Sequence, residues 1–159
     1  MTKFVERYQK IADKLIKKSF PNLRDKKIRL VEYNFSESYA GFIPVINFIG
    51  IHKRCRNFSN KELEALFAHE LSHFDILLEM SFFERFGFYL AHVFSKKVQS
   101  SFETAADKEL VKGGYSRGFY SLIKKNENSK TKIEIERRLK NGYLSSEQIK
   151  SYAQKIGKW

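Results

Sequence analysis

The chain has 159 residues, 42% hydrophobic and 30% charged with only two prolines, which fits one folded domain and excludes a disordered or low-complexity chain. Its formal net charge of +12 is spread over lysines along the whole length, so it reads first as a solvated basic surface and second as a face for an acidic partner such as nucleic acid or an anionic membrane. Cys55 is the single cysteine, which excludes an intrachain disulfide and a cysteine-rich metal cluster.

The N-terminal stretch lacks a long apolar run and a small-residue cleavage site, so no secretory signal is expected and a cytoplasmic location is the default. Residues 3–18 instead place Phe4, Tyr8, Ile11 and Leu15 at helical spacing, and Pro21 marks the stop. "KIRLVEY", residues 27–33, reads as a strand. "GFIPVINFIGIHK", residues 41–53, reads as one further strand, with Pro44 near its start suggesting an edge position.

A helix follows from Ser59. Glu62 stands three residues on, the reciprocal capping arrangement, and Leu63, Leu66, Phe67, Phe74, Leu77 and Leu78 supply its apolar positions. "FFERFGFYLAHVF", residues 82–94, is too short to span a bilayer, which takes ~20 apolar residues. It reads as a buried helix or a cleft lining, with peripheral membrane contact as the lesser alternative. "SFETAADKELVKGG" reads as a helix capped by Ser100 or Ser101 and stopped by Gly113 and Gly114. Beyond a polar stretch at 126–130 come two short capped helices, the first ending at Asn141-Gly142 and the second starting at Ser145. The sequence therefore suggests a body of residues 1–125 and a C-terminal helical segment of 126–159.

Chemistry concentrates in "FAHELSHFD", residues 67–75. On a helix His69 and His73 lie about 40° apart around the axis, one turn above the other, so both imidazoles can bind one metal ion. Glu70 is turned away from His69 but comes back toward His73, where it reaches a water without being a ligand. Burying these three groups among Phe67, Ala68, Leu71 and Phe74 without partners would cost several kcal/mol, and a metal removes that cost. A catalytic zinc needs a third ligand and an open position. Glu103 and Asp107, in "ETAAD", share one helix face: Glu103 suits the metal, and Asp107 suits the free ring nitrogen of a ligating histidine. His92 is a rival third ligand, but no helper flanks it. His52 reads as a surface or cleft-rim residue, Cys55 as a small part-buried residue, and Trp159 as a pin for the last helix.

"HELSH" followed by "ETAAD" resembles the gluzincin metallopeptidases. The form with alanine before the aspartate is similar to the group holding the heat-shock membrane proteases and CAAX proteases, and the small size points to their soluble relatives, the minigluzincins. The resemblance covers roughly residues 42–114, with an aromatic-rich insertion between His73 and Glu103. It implies an α+β fold: a small mixed sheet with an edge strand over the cleft, packed on the motif helix and a glutamate helix, plus a C-terminal helical appendage. The cleft strand of that family would here be part of "VINFIGIHKR". It further implies a zinc-dependent endopeptidase acting on peptide or protein substrates, with one zinc on His69, His73 and Glu103, Glu70 as general base, and a terminal segment able to restrain activity. Tyr115, Arg117 and Tyr120 follow the glutamate helix and are candidates to stabilise the oxyanion. The reading from a different class is a regulatory or nucleic-acid-binding protein that carries the zinc site without broad proteolysis, its +12 charge making the contacts.

Overall fold

The computed structural model describes residues 2–34, 38–43 and 47–159. Among these the order is α1 (Lys3–Ser19), β1 (Arg29–Tyr33), β2 (Ala40–Ile43), β3 (Phe48–His52), α2 (Asn60–Leu78), α3 (Phe82–Phe94), α4 (Lys96–Lys112), α5 (Ser116–Asn128), α6 (Lys132–Lys140) and α7 (Ser146–Lys155). Helices packed on one small mixed sheet make the fold α+β, as expected.

The single strand expected over 41–53 is two. Asn47 takes the left-handed conformation, φ 52°, which asparagine tolerates better than most residues, and the chain reverses there. Pro44 lies outside the described residues. β2 then runs antiparallel to β3, with Phe42 opposite Ile49, and β1 runs parallel to β3 on its other side. The strand order is β1-β3-β2, so β3 is central and β1 and β2 are the two edges. β1 is tied to α1 by Gln9, whose side chain donates to the Ile28 carbonyl (3.0 Å) and accepts from the Leu30 amide (3.2 Å).

α2 runs through the middle of the molecule. Ser59 and Glu62 form the expected reciprocal cap, and Leu63, Ala65, Phe67, Ala68 and Leu71 are fully buried. A helix buried on nearly all sides needs neighbours all round. Tyr8 of α1 meets Phe67 edge-on, β2 crosses near the His73 end, and α4 and α5 close the rest. The α5 contact is very tight: a Cβ on Gly118 would collide with the Lys61 carbonyl.

α4 begins at Lys96, ahead of the expected "SFETAADKELVKGG" segment, with Ser95 rather than Ser100 or Ser101 as its cap. The C-terminal segment is not a separate layer. The polar stretch at 126–130 is the end of α5 and the turn after it, and Ile149 and Ala153 of α7 are fully buried in the main core. Trp159 does pin the terminus, its ring 5.3 Å from that of Tyr120. Among the described residues no helix is long and apolar enough to cross a membrane.

Glu62 has a second task. Its carboxylate is 2% exposed and receives the Ser59 amide (2.9 Å), Ser121 Oγ (3.0 Å) and Lys125 Nζ (2.6 Å). Burial would raise its pKa, but Lys125, Ser59 and Ser121 outweigh it and hold the group at about 2, below its ordinary 4.5. A depressed carboxylate binds fewer protons folded than unfolded, so its stabilisation is complete above pH 4.5 and drains away as pH falls toward about 2. Urea unfolding of wild type and Glu62→Gln across this window should show wild type clearly the more stable at neutral pH, with the gap narrowing in acid. A gap independent of pH would contradict this role.

Candidate metal centre

The Ser59 cap fixes where α2 starts, and ten residues later the helix delivers His69, Glu70 and His73 beside β2. α4 crosses beside it and brings Glu103 and Asp107. All five are buried, with exposures between 0% for Asp107 and 8% for Glu103. The Nε2 atoms of His69 and His73 face each other at 3.1 Å. Glu103 Oε2 lies 3.3 Å from the first and 3.5 Å from the second. This oxygen accepts no aligned hydrogen bond. Three buried donor atoms thus converge on one point, an arrangement that could hold a metal ion.

The rings are held in place from behind. His73 stacks on Phe42 of β2 (4.7 Å between centroids) and lies 4.3 Å from Phe102. His69 lies between Phe119 of α5 (5.8 Å) and Tyr143 (6.4 Å). Asp107 Oδ1 is 2.9 Å from His69 Nδ1, within reach, although the ring N–H points off the line of a well-aligned bond. Its other oxygen accepts the Leu144 amide at 2.9 Å, so Asp107 joins the histidine to the loop after α6.

Burial and mutual charge divide the titrating groups. Burial, helped by the Glu103 charge and opposed by His69, pushes Glu70 up to about 7. Burial would lower His69, but Asp107 and Glu103 hold it well above the ordinary value, whereas burial wins at His73 and lowers it. Burial would raise Glu103, and the two imidazoles hold it well below the usual carboxylate range.

The cluster forms the floor of a cleft of about 430 Å³, within the usual range for ligand sites. One wall is Tyr39, Ala40, Gly41 and Phe42, so among the described residues the strand at the cleft is β2 rather than β3 of the "VINFIGIHKR" segment, which is paired on both sides; Val45 and Ile46 of that segment lie outside the described residues. The opposite wall is α5, through Phe119, Leu122 and Ile123, and the C-terminal residues Arg138 and Tyr143.

Tyr143 and Arg138 are cleft residues that sequence reasoning missed. The Arg138 guanidinium sits 5.0 Å from the Tyr143 ring, which in turn lies over His69. They reach the cleft because Gly142 adopts φ 92° and because a Cβ there would collide with Ser100 of α4. Thr104 Oγ1 donates to the Gly142 carbonyl at 2.6 Å and holds the loop down. The only sequence signal was the Asn141-Gly142 pair, which marks a turn but not what the turn covers.

The three residues singled out for the oxyanion lie elsewhere. Tyr115 bonds Ser19 Oγ (2.6 Å), Arg117 donates to the Trp159 carbonyl (3.3 Å), and Tyr120 reaches Glu147 (3.3 Å). Tyr115 is the residue before α5, and the helical period turns Arg117 and Tyr120 away from the cleft, which meets Phe119, Leu122 and Ile123 instead. His92 is outside the donor cluster, its ring set against Phe88 and Phe102. His52 is not at the rim: it is 6% exposed, and its Nδ1 accepts the Arg54 amide (3.0 Å) to cap a short turn. Cys55 is fully buried, and burial pushes its thiol up to about 12, which makes it inert.

Comparison of the chain with protein-family models, curated proteins and solved structures finds no match.

Proposed function

We propose that the protein is a zinc-dependent endopeptidase of minigluzincin type. The observation that carries the reading is the donor triangle of two imidazole nitrogens and one carboxylate oxygen, with edges of 3.1, 3.3 and 3.5 Å. Tetrahedral zinc with bonds of 2.0–2.1 Å sets its ligands about 3.3 Å apart, and a set of three protein ligands is what catalytic zinc uses. A zinc ion held there supplies Lewis-acid polarisation of a carbonyl and water that ionises near neutral pH.

The chain's own residues supply the rest. Glu70 lines the same cleft and is not one of the three donors. Its carboxylate takes the proton of the attacking water and passes it to the leaving amine, and a basicity raised by burial suits both transfers. Asp107 orients His69 and, through Leu144, the loop that carries Tyr143. β2 pairs only with β3 among the described residues, so its outer edge is available to an extended peptide, which lies along the cleft as an added strand. The assay that tests this is cleavage of a quenched peptide library, with loss on chelation and recovery on adding zinc. Stoichiometric zinc without cleavage of any peptide would refute the endopeptidase and favour a regulatory metal protein.

Tyr143 supports two roles within this reading. As a phenol beside His69 it donates to the developing oxyanion; as part of a covering loop it restrains an otherwise active cleft. We favour the donor, because the cleft beneath the loop keeps room for a ligand. Tyr143→Phe should then lower kcat about a hundredfold at unchanged metal content. A rise in turnover for Tyr143→Ala would identify a latch instead. Trimming the chain after residue 128 does not separate these roles, since it strips α7 from the core.

A further inference from the structure

α3 was expected to be buried or to line the cleft, and among its described side chains none is buried and none lines the cleft. Among its described side chains, Phe88 and His92 dock it on Phe102 of α4, with ring centroids 4.8 and 5.6 Å apart. At about 100° per residue, Phe83, Phe86, Leu90 and Phe94 fall within a stripe about 80° wide on the opposite side. These four are 83%, 60%, 44% and 84% exposed, and none of them lines the metal cleft. A continuous row of large apolar side chains facing water marks an interaction surface.

Shape and charge select the occupant. The row stands on the convex outside of a single helix, so it suits insertion into a fluid apolar phase better than the filling of a protein groove. Lys96 and Lys97 are exposed just beyond Phe94. Arg85 and Lys26 line a shallow hollow beside the other end, together with Glu79. Glu84 is drawn back to cap Ser81. The chain as a whole carries +12. An apolar stripe with cations at its ends, on a body of that charge, matches acyl chains beneath anionic headgroups.

We propose that α3 is an interfacial anchor that lies in the plane of an anionic phospholipid surface, with Phe83, Phe86, Leu90 and Phe94 among the acyl chains. At 13 residues it cannot span the bilayer. The anchor holds the metal cleft beside the membrane, and it stands or falls independently of what that cleft does.

The test is co-sedimentation of the full chain with vesicles of phosphatidylcholine alone and of phosphatidylcholine mixed with phosphatidylglycerol. Binding should occur to the mixed vesicles and weaken as salt rises. Phe83→Ser with Phe94→Ser removes the two most exposed of these four side chains and should cut partition about tenfold or more, with circular dichroism unchanged. Lys96→Glu with Lys97→Glu leaves the stripe intact and should weaken binding on the order of fivefold per lysine. Phe83→Trp should show a blue-shifted emission only with the mixed vesicles. No partition into mixed vesicles at low salt, or partition undiminished by the serine pair, overturns the proposal. So does a dimer in solution that the serine pair dissolves, since the stripe would then be covered by a second copy.

Discussion

Glu103→Ala protein should fold and emerge from purification without its metal. Glu103 Oε2 is one corner of the donor triangle, and among the described residues no other carboxylate belongs to the group. The loss should exceed the roughly 10- to 100-fold weakening that follows removal of a residue which only orients a ligand, and Asp107→Ala should fall within that smaller range. His92→Ala should keep its metal, because the ring packs against Phe88 and Phe102 outside the cluster. Competition with a chromophoric chelator ranks the four proteins directly. An order with His92→Ala weakest and Glu103→Ala intact would contradict the assignment of the third ligand.

Glu70→Gln should retain full metal content and lose hydrolysis, by up to about 10⁴-fold for a lost general base. The amide keeps the size of the side chain and cannot accept the proton of the attacking water. Glu70 is 5% exposed, and an amide of the same size should not harm the fold. Burial already penalises the charged form, which argues for equal or greater stability in the variant. Thermal melting together with a peptide assay reads both halves. If Glu70→Gln cleaved peptides at the wild-type rate, the proton would be moving through another group.

The parts of this protein that were legible in its sequence are those specified within one or two helical turns. The cap at Ser59 and Glu62, the turn from His69 to His73, and the spacing from Glu103 to Asp107 all depend on local period, and all appear in place. What was not legible depends on which surfaces meet. Reversal at Asn47 divides an apolar run into two strands and makes β2, not β3, an edge. α3 has apolar residues on both sides, and the period could not say which of them would meet Phe102 of α4 and which would stay exposed. Tyr143 enters the cleft through a glycine turn pressed onto α4, some 40 residues after Glu103, and no local pattern marks that contact. The buried side of α7 looked like any amphipathic helix, so its place in the main core could not be told from that of an appendage.

The most direct test of the central claim is the metal content of the purified chain, by elemental analysis and native mass spectrometry after dialysis against buffer containing a trace of zinc. The predicted result is one zinc per chain in wild type and in Glu70→Gln, and none in the His69→Ala/His73→Ala pair. A wild-type chain that takes up no zinc, or a double variant that keeps it, would contradict the account.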